Sequence, residues 1–138
     1  WLDPVYCGGH WVPEMIAAAG GADPFGTVGK PSHPLRWEAI AAADPDVILL
    51  MPCGFHAEDV VGRFVEIASA PEFGRLRAVR TGNVYAVDAT AYFSRPGPRI
   101  VEGVRILARI LHPDCVSTPL QLGEAYQLTA SGGFQPYL

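Results

Sequence analysis

The run Val47-Ile48-Leu49-Leu50-Met51 is unbroken by any polar residue, and it limits what this chain can become. A strand with one solvated face alternates apolar and polar residues, and this run does not. It therefore predicts a strand covered on both faces, the kind found where helices pack on each side of a parallel sheet. The flanking sequence fits. Trp37–Ala43 has helical character and stops at Asp44-Pro45, and Ala57–Ala68 resumes helical spacing through Val60, Val61, Phe64 and Ile67. The turn Arg80-Thr81-Gly82-Asn83 then leads into a second predicted strand, Val84–Val87.

The remaining segments fill in the same pattern. Val12–Ala19 predicts a helix with Pro13 in its first turn and Gly20-Gly21 as its stop. Residues 22–35 read as a long loop, and Pro71–Leu76 as a short helix or turn. The segment from Pro98 to Leu111 predicts an amphipathic helix. Ile100, Val104, Leu107 and Leu111 line one side, flanked by Val101 and Ala108, with Glu102, Arg105 and Arg109 opposite. His112-Pro113 ends it. The tail, Asp114–Leu138, shows no clear period and reads as an extension or packed coil. The expected fold is an α/β lobe in three layers, with a mostly parallel central sheet flanked by helices. Residues 1–113 form the lobe and 114–138 a C-terminal extension.

Composition narrows the function. With 138 residues, 49% hydrophobic and 17% charged, the chain has enough apolar material for one core and is not of disordered type. A net charge of −4 and the lack of any basic run argue against nucleic acid as a partner. The longest apolar runs are far too short to span a bilayer. Three widely spaced cysteines, Cys7, Cys53 and Cys115, do not make a disulfide framework. They read as small thiols of a reducing compartment, or of a chain that makes no disulfides. The chain starts at Trp1 without a charged leader or signal-like core, and reads as a processed product or a piece with an upstream part.

No glycine-rich phosphate loop, H-E-x-x-H, G-x-S-x-G or paired C-x-x-C is present, and the chain reads as a binding protein with no catalytic cofactor. In open α/β sheets ligands sit beyond the carboxyl ends of the strands. Two ring-bearing loops fall there, Cys53-Gly54-Phe55-His56 and Tyr92-Phe93-Ser94-Arg95, and a third, Gly8-Gly9-His10-Trp11, joins them if residues before Trp1 form a strand. Rings with a few directed polar groups suit a large, mostly apolar ligand with polar arms. Arg95, followed by Pro96-Gly97-Pro98, offers forked donors to carbonyl or phosphate oxygens. The competing reading of each ring is a seal over the end of the sheet. Glu38, in the first turn of a predicted helix, is favoured there by the helix dipole alone. A reading of another class is a metal-dependent enzyme using Cys7, His10 and His56.

Taken in order, W-L-D-P-V-Y-x-G-G-H-W-V-P-E-M-I-x-x-A-G-G, W-E-x-I-x-x-x-D-P-D-V-I, C-G-F and V-Y-A-V-D-x-x-x-Y-F-S-R-P-G-P-R mark a likeness. The chain resembles the C-terminal lobe of the cobalamin-type (class III, helical-backbone) periplasmic binding proteins, which serve ABC importers of vitamin B12, haem and iron siderophores. The resemblance spans roughly residues 1–113. It implies two α/β lobes joined by a rigid helix, with the ligand between them, so that this chain supplies one wall and an N-terminal lobe the other. His10, Trp11, Phe55, Tyr92, Phe93 and Arg95 would face that cleft. The implied ligand is a corrinoid, with His10 or His56 as a candidate axial ligand to cobalt. A ferric siderophore or haem is the alternative. Glu38 matches the glutamate that docks on arginines of the permease. The implied location is the periplasm or the outer face of the envelope. A cytoplasmic corrinoid binder is the alternative, since some relatives with the G-H-W-V-P-E variant lack an export signal.

Overall fold

The computed structural model describes residues 1–138. In chain order the elements are α1 (Val12–Ala18), α2 (Trp37–Ala43), β1 (Ile48–Leu50), α3 (Ala57–Gly62), α4 (Val65–Ala68), a 3₁₀ turn (Phe73–Arg75), α5 (Arg77–Arg80), β2 (Val84–Val87), α6 (Ala89–Tyr92), α7 (Ile100–Leu111), β3 (Ala125–Leu128) and β4 (Phe134–Pro136). The strands form one sheet in the order β1-β2-β3-β4. β1 and β2 are parallel, with Ile48 opposite Val84 and Leu50 opposite Ala86.

β2 is the axis of the core, and all four of its residues are buried. Its alternation divides the interior in two. Val84 and Ala86 join Leu50, Ile40, Val60, Ile67 and Phe73 on one face. Tyr85 and Val87 join Met15, Phe93, Ile106, Leu107 and Ile110 on the other. Helices α2 to α5 thus cover one side of the sheet and α1, α6 and α7 the other. This is the layered α/β lobe that the apolar runs predict.

Four local expectations change. The sheet is mixed, because the tail read as coil supplies β3 and β4, both antiparallel to their neighbours. The helix expected over Ala57–Ala68 breaks after Gly62, a poor helix former, and Phe64 turns to pack on Phe73 and Phe134 at 5.6 and 4.9 Å. The face that α7 buries is Gly103, Ile106, Leu107 and Ile110, while Val101 is 70% exposed. The side expected to be solvated instead holds the tail: the Arg109 guanidinium donates to the carbonyls of Pro113 and Val116 and lies 5.6 Å from the Tyr137 ring. Finally, β1 is not covered on both faces. Ile48 and Leu49 are only half-buried, and no strand pairs with its outer edge.

Candidate functional site

Parallel pairing brings the ends of β1 and β2 to one edge of the lobe, and short hydrogen bonds join the loops that follow. Asp88, last before α6, is the joint. One carboxylate oxygen caps α6 by accepting the Ala91 N–H at 2.8 Å, and the other lies 2.9 Å from His56 Nδ1. The Thr90 N–H donates to the Phe55 carbonyl at 3.1 Å, and the Gly54 N–H to Ser94 Oγ at 3.0 Å. The loop before α1 is tied in by Trp11, whose indole N–H donates to the Phe93 carbonyl at 3.0 Å. That loop is itself braced along residues 29–35. Cys7 N–H donates to the His33 carbonyl at 3.0 Å, His10 N–H to the Lys30 carbonyl at 2.7 Å, and Gly29 N–H to the His10 carbonyl at 2.7 Å. Gly9 is required here, since a Cβ would run into the Ser32 main chain.

The three predicted loops therefore meet, but their side chains differ in what they still offer. Arg95 is exposed and makes no hydrogen bond or ion pair within the chain. His10 is exposed at a left-handed φ of 56°, with its ring 5.6 Å from that of Trp11, which is half-buried. Phe55 is partly engaged, edge-on to Trp1 at 6.1 Å and with the Arg63 guanidinium 4.9 Å from its ring centre. Tyr92 is half-buried and its hydroxyl donates inward to Glu124 at 3.3 Å. Phe93 departs from expectation. It is 4% exposed and its ring packs beside Gly103 of α7, so it contributes a carbonyl to the edge and no ring. Tyr92 ends α6, and Phe93, the residue after it, turns into the core.

Electrostatics separate the titratable groups. The hydrogen bond to Asp88, with the charge of that carboxylate, raises the His56 pKa above its ordinary value. Burial, then Glu124, raises that of Tyr92. Glu38 lies exposed at the start of α2. Its own backbone N–H, then Arg36 at 3.4 Å, holds its carboxyl below the usual range, so it stays ionised. The residues of the metal-enzyme alternative are not gathered at one point: Cys7 lies 3.2 Å from His33, His56 stands against Asp88, and the His10 ring lies beside Trp11. No group of three or more His, Cys, Asp or Glu residues is placed to hold a metal ion. Motif reading includes Asp88 and Ser94 in V-Y-A-V-D-x-x-x-Y-F-S-R but gives neither a role. An aspartate ending an apolar strand just before A-T-A-Y is, however, a helix-start signal that identifies Asp88.

Below this edge an apolar groove of about 880 Å³ runs beside β1, reaching from His10, Trp11 and Cys53 to Asp44 and Asp46. No helix is long and apolar enough to cross a membrane. The family model described as "Periplasmic binding protein" matches residues 4–91, the span that carries the first two loops and ends just before the third. No curated protein and no solved structure matches the chain.

Proposed function

The chain belongs to the periplasmic binding protein family, whose members bind substrates for ABC importers, and from that premise we propose that its loop-bearing edge is one wall of a corrinoid cleft. The observation that carries this reading is Arg95. Its guanidinium has no partner within the chain, yet its loop is fastened to both neighbouring loops through Ser94 and Phe93. An unspent fork of five N–H donors on a braced loop suits the amide and phosphate oxygens of a macrocycle's arms. Trp11, Phe55 and the exposed part of Tyr92 add apolar area beside it. The opposite wall would come from an N-terminal lobe. His10 or His56 would reach the cobalt, and His56 is the better oriented, because Asp88 fixes Nδ1 and leaves Nε2 outward.

In this reading the chain binds and delivers, and catalyses nothing. Glu38, exposed and ionised, would dock on cationic residues of the permease. The site of action is the periplasm or the outer face of the envelope, with a cytoplasmic corrinoid binder as the alternative. A ferric siderophore or haem is the second reading. It is favoured by Arg99 and Lys30, exposed and also without side-chain partners, which would suit an anionic chelate.

Titrating the two-lobe protein with cyanocobalamin, a ferric hydroxamate and haemin separates these readings. The expected result is tight cyanocobalamin binding, weakened about 10- to 100-fold in Arg95→Ala, the loss of a charge-assisted hydrogen bond. Unchanged affinity in that variant removes Arg95 from the site. Binding of an iron chelate with none of cyanocobalamin selects the second reading. Glu38→Ala is expected to lower uptake with ligand affinity unchanged.

A further inference from the structure

We propose that Glu124, in the tail beyond the span that matches the family, is a positioning residue of the ligand edge: it holds α6 at both ends and so aims Tyr92 at the cleft. The inference rests on the reading of that edge as a cleft wall, and goes beyond it by giving the tail a part in binding. It starts from the size of α6. Ala89–Tyr92 is a single turn, and one turn of helix has no stability of its own. Its direction is therefore set from outside. Glu124 does this from two atoms. Its carbonyl accepts the Asp88 N–H at 3.2 Å, where α6 starts, and its carboxylate accepts the Tyr92 hydroxyl at 3.3 Å, where α6 ends. Asp88 holds His56 through its side chain, and Tyr92 leads through Phe93 and Ser94 to Arg95. Candidate contacts of two loops are thus arranged around a turn that one glutamate spans.

An anchor must itself be still, and this one is. Glu124 closes the turn Gln121–Glu124, donating its N–H to the Gln121 carbonyl at 3.1 Å while Oε2 takes the Gln121 N–H at 2.7 Å. Gly123 permits the turn, at a left-handed φ of 91°. Leu120 and Ala125, on either side of it, are buried in the core. Oε1 also takes Arg105 Nη2 at 2.6 Å, and Arg105 is fixed in turn by Glu102 at 2.8 Å. The strand that follows is braced against α3, where the Tyr126 hydroxyl donates to Glu58 at 2.7 Å.

A buried ion pair is a costly way to fasten a hairpin, since apolar side chains of similar volume do it as well or better. What a carboxylate adds is direction. Tyr92 has a use for it: the residue is half-buried, and its hydroxyl has no other hydrogen-bond partner. A ring already tethered loses less rotamer freedom when a ligand packs on it.

The test titrates the two-lobe protein with cyanocobalamin in Glu124→Ala, Glu124→Gln and Gln127→Ala, each with Tyr92 and with Tyr92→Phe. If the parent binds the ferric hydroxamate or haemin instead, that probe takes its place. Glutamine keeps an acceptor oxygen for the Tyr92 hydroxyl and alanine does not. Gln127 holds the same hairpin away from α6, through the Gly82 carbonyl at 2.9 Å and the Tyr85 hydroxyl at 3.2 Å. It controls for hairpin stability, read by amide hydrogen exchange in β3. The expected result is a loss of about 5-fold in Glu124→Ala, the value of one neutral hydrogen bond, with Glu124→Gln and Gln127→Ala close to the parent. Tyr92→Phe is weakened to the same degree, and in it Glu124→Ala costs nothing more. Should Glu124→Ala not fold, Glu124→Met with Arg105→Met replaces the ion pair by apolar side chains, a change that generally preserves folding, and carries the same expectation. Unchanged affinity in Glu124→Ala, a loss that persists in Tyr92→Phe, or an equal loss in Gln127→Ala overturns the proposal. Tyr92→Ala separates it from the reading beneath it. Weaker binding there, with none lost in Tyr92→Phe, keeps Tyr92 in the cleft and removes Glu124. Unchanged binding there, or no binding of any probe by the parent, overturns both.

Discussion

β2 has a neighbour on each side and β1 has one, and that difference decides what each strand tolerates. Both are short and apolar. All four residues of β2 are buried, whereas Leu50 is the one buried residue of β1. Composition sets what a strand is able to bury, and neighbours set whether it does. The sharpest contrast lies within β1 itself. Leu50 is 4% exposed and packs in the cluster with Ile40 and Phe73, while Leu49 faces the other side and borders the groove. Leu50→Ala is expected to cost about 2–5 kcal/mol, the usual range for a buried leucine. Leu49→Ala should cost about half of that or less, because part of its surface is already open. Urea unfolding of both variants measures the gap. Equal costs would mean that β1 is as closed as β2.

The neighbour that closes β2 is β3, and a buried carboxylate holds it. Glu124, 4% exposed, accepts from Arg105 Nη2 at 2.6 Å, from the Gln121 N–H at 2.7 Å and from the Tyr92 hydroxyl at 3.3 Å. Its carbonyl takes the Asp88 N–H at 3.2 Å. Glu124→Gln leaves Arg105 facing a neutral group. Losing one partner of a buried pair costs about 3–5 kcal/mol. Arg105 keeps Glu102 at 2.8 Å and is partly solvated, so about 2 kcal/mol is expected here. Exchange should quicken at β3 amides and stay unchanged at Ile48 and Leu50. An effect of the same size at both strands would show that the sheet opens as one unit.

These contrasts also mark what could be read in the sequence. α1, α2, β1 and β2 were legible because each has its own stop or start: Pro13 and Gly20, Asp44-Pro45, and the turn at Gly82-Asn83. The loops were legible as a group, since parallel strands send their ends to one edge. The β3–β4 hairpin was not. Its strands of four and three residues are too short for a period to emerge, although Gly132-Gly133 marks the turn between them. Missing that hairpin also misassigned the faces of α7, whose span was legible, because Arg105 and Arg109 look solvent-facing until the tail they hold is known. For the site, chain order gave no hint that Phe93 turns inward while Arg95 stays free. That depends on Gly103, which makes room for the Phe93 ring.

Gly103 tests the cover over β2 on the α7 side. A Cβ there would lie 2.6 Å from Met15 Cε, 3.1 Å from the Phe93 ring and 3.1 Å from the Tyr92 carbonyl. Overpacking of this kind costs about 1–3 kcal/mol, and alanine returns up to about 1 kcal/mol of helix propensity. Gly103→Ala is therefore expected to destabilise by about 1 kcal/mol and to loosen α1 and the Trp11–Phe93 link. A stabilised variant would mean that α1 shifts freely, leaving its side of the groove mobile.

The smallest expected effect concerns the bond that ties the end of β1 to the end of β2. His56 is exposed, and its contact with Asp88 raises its pKa above 6.5. A histidine whose folded pKa is raised stabilises the fold fully below its unfolded value. That contribution is lost as the pH climbs through the raised one. The melting difference between the parent chain and His56→Ala should therefore be largest on the acid side of pH 6.5 and fade above it. Asp88→Asn isolates the charge, because asparagine also caps α6 at the Ala91 N–H. It should keep the helix start and abolish the pH-dependent part of the difference. If the asparagine variant retains the full pH dependence, the acidic residues of α3, Glu58 and Asp59, are what His56 senses, and the two strand ends are joined by the Thr90–Phe55 and Gly54–Ser94 bonds without it.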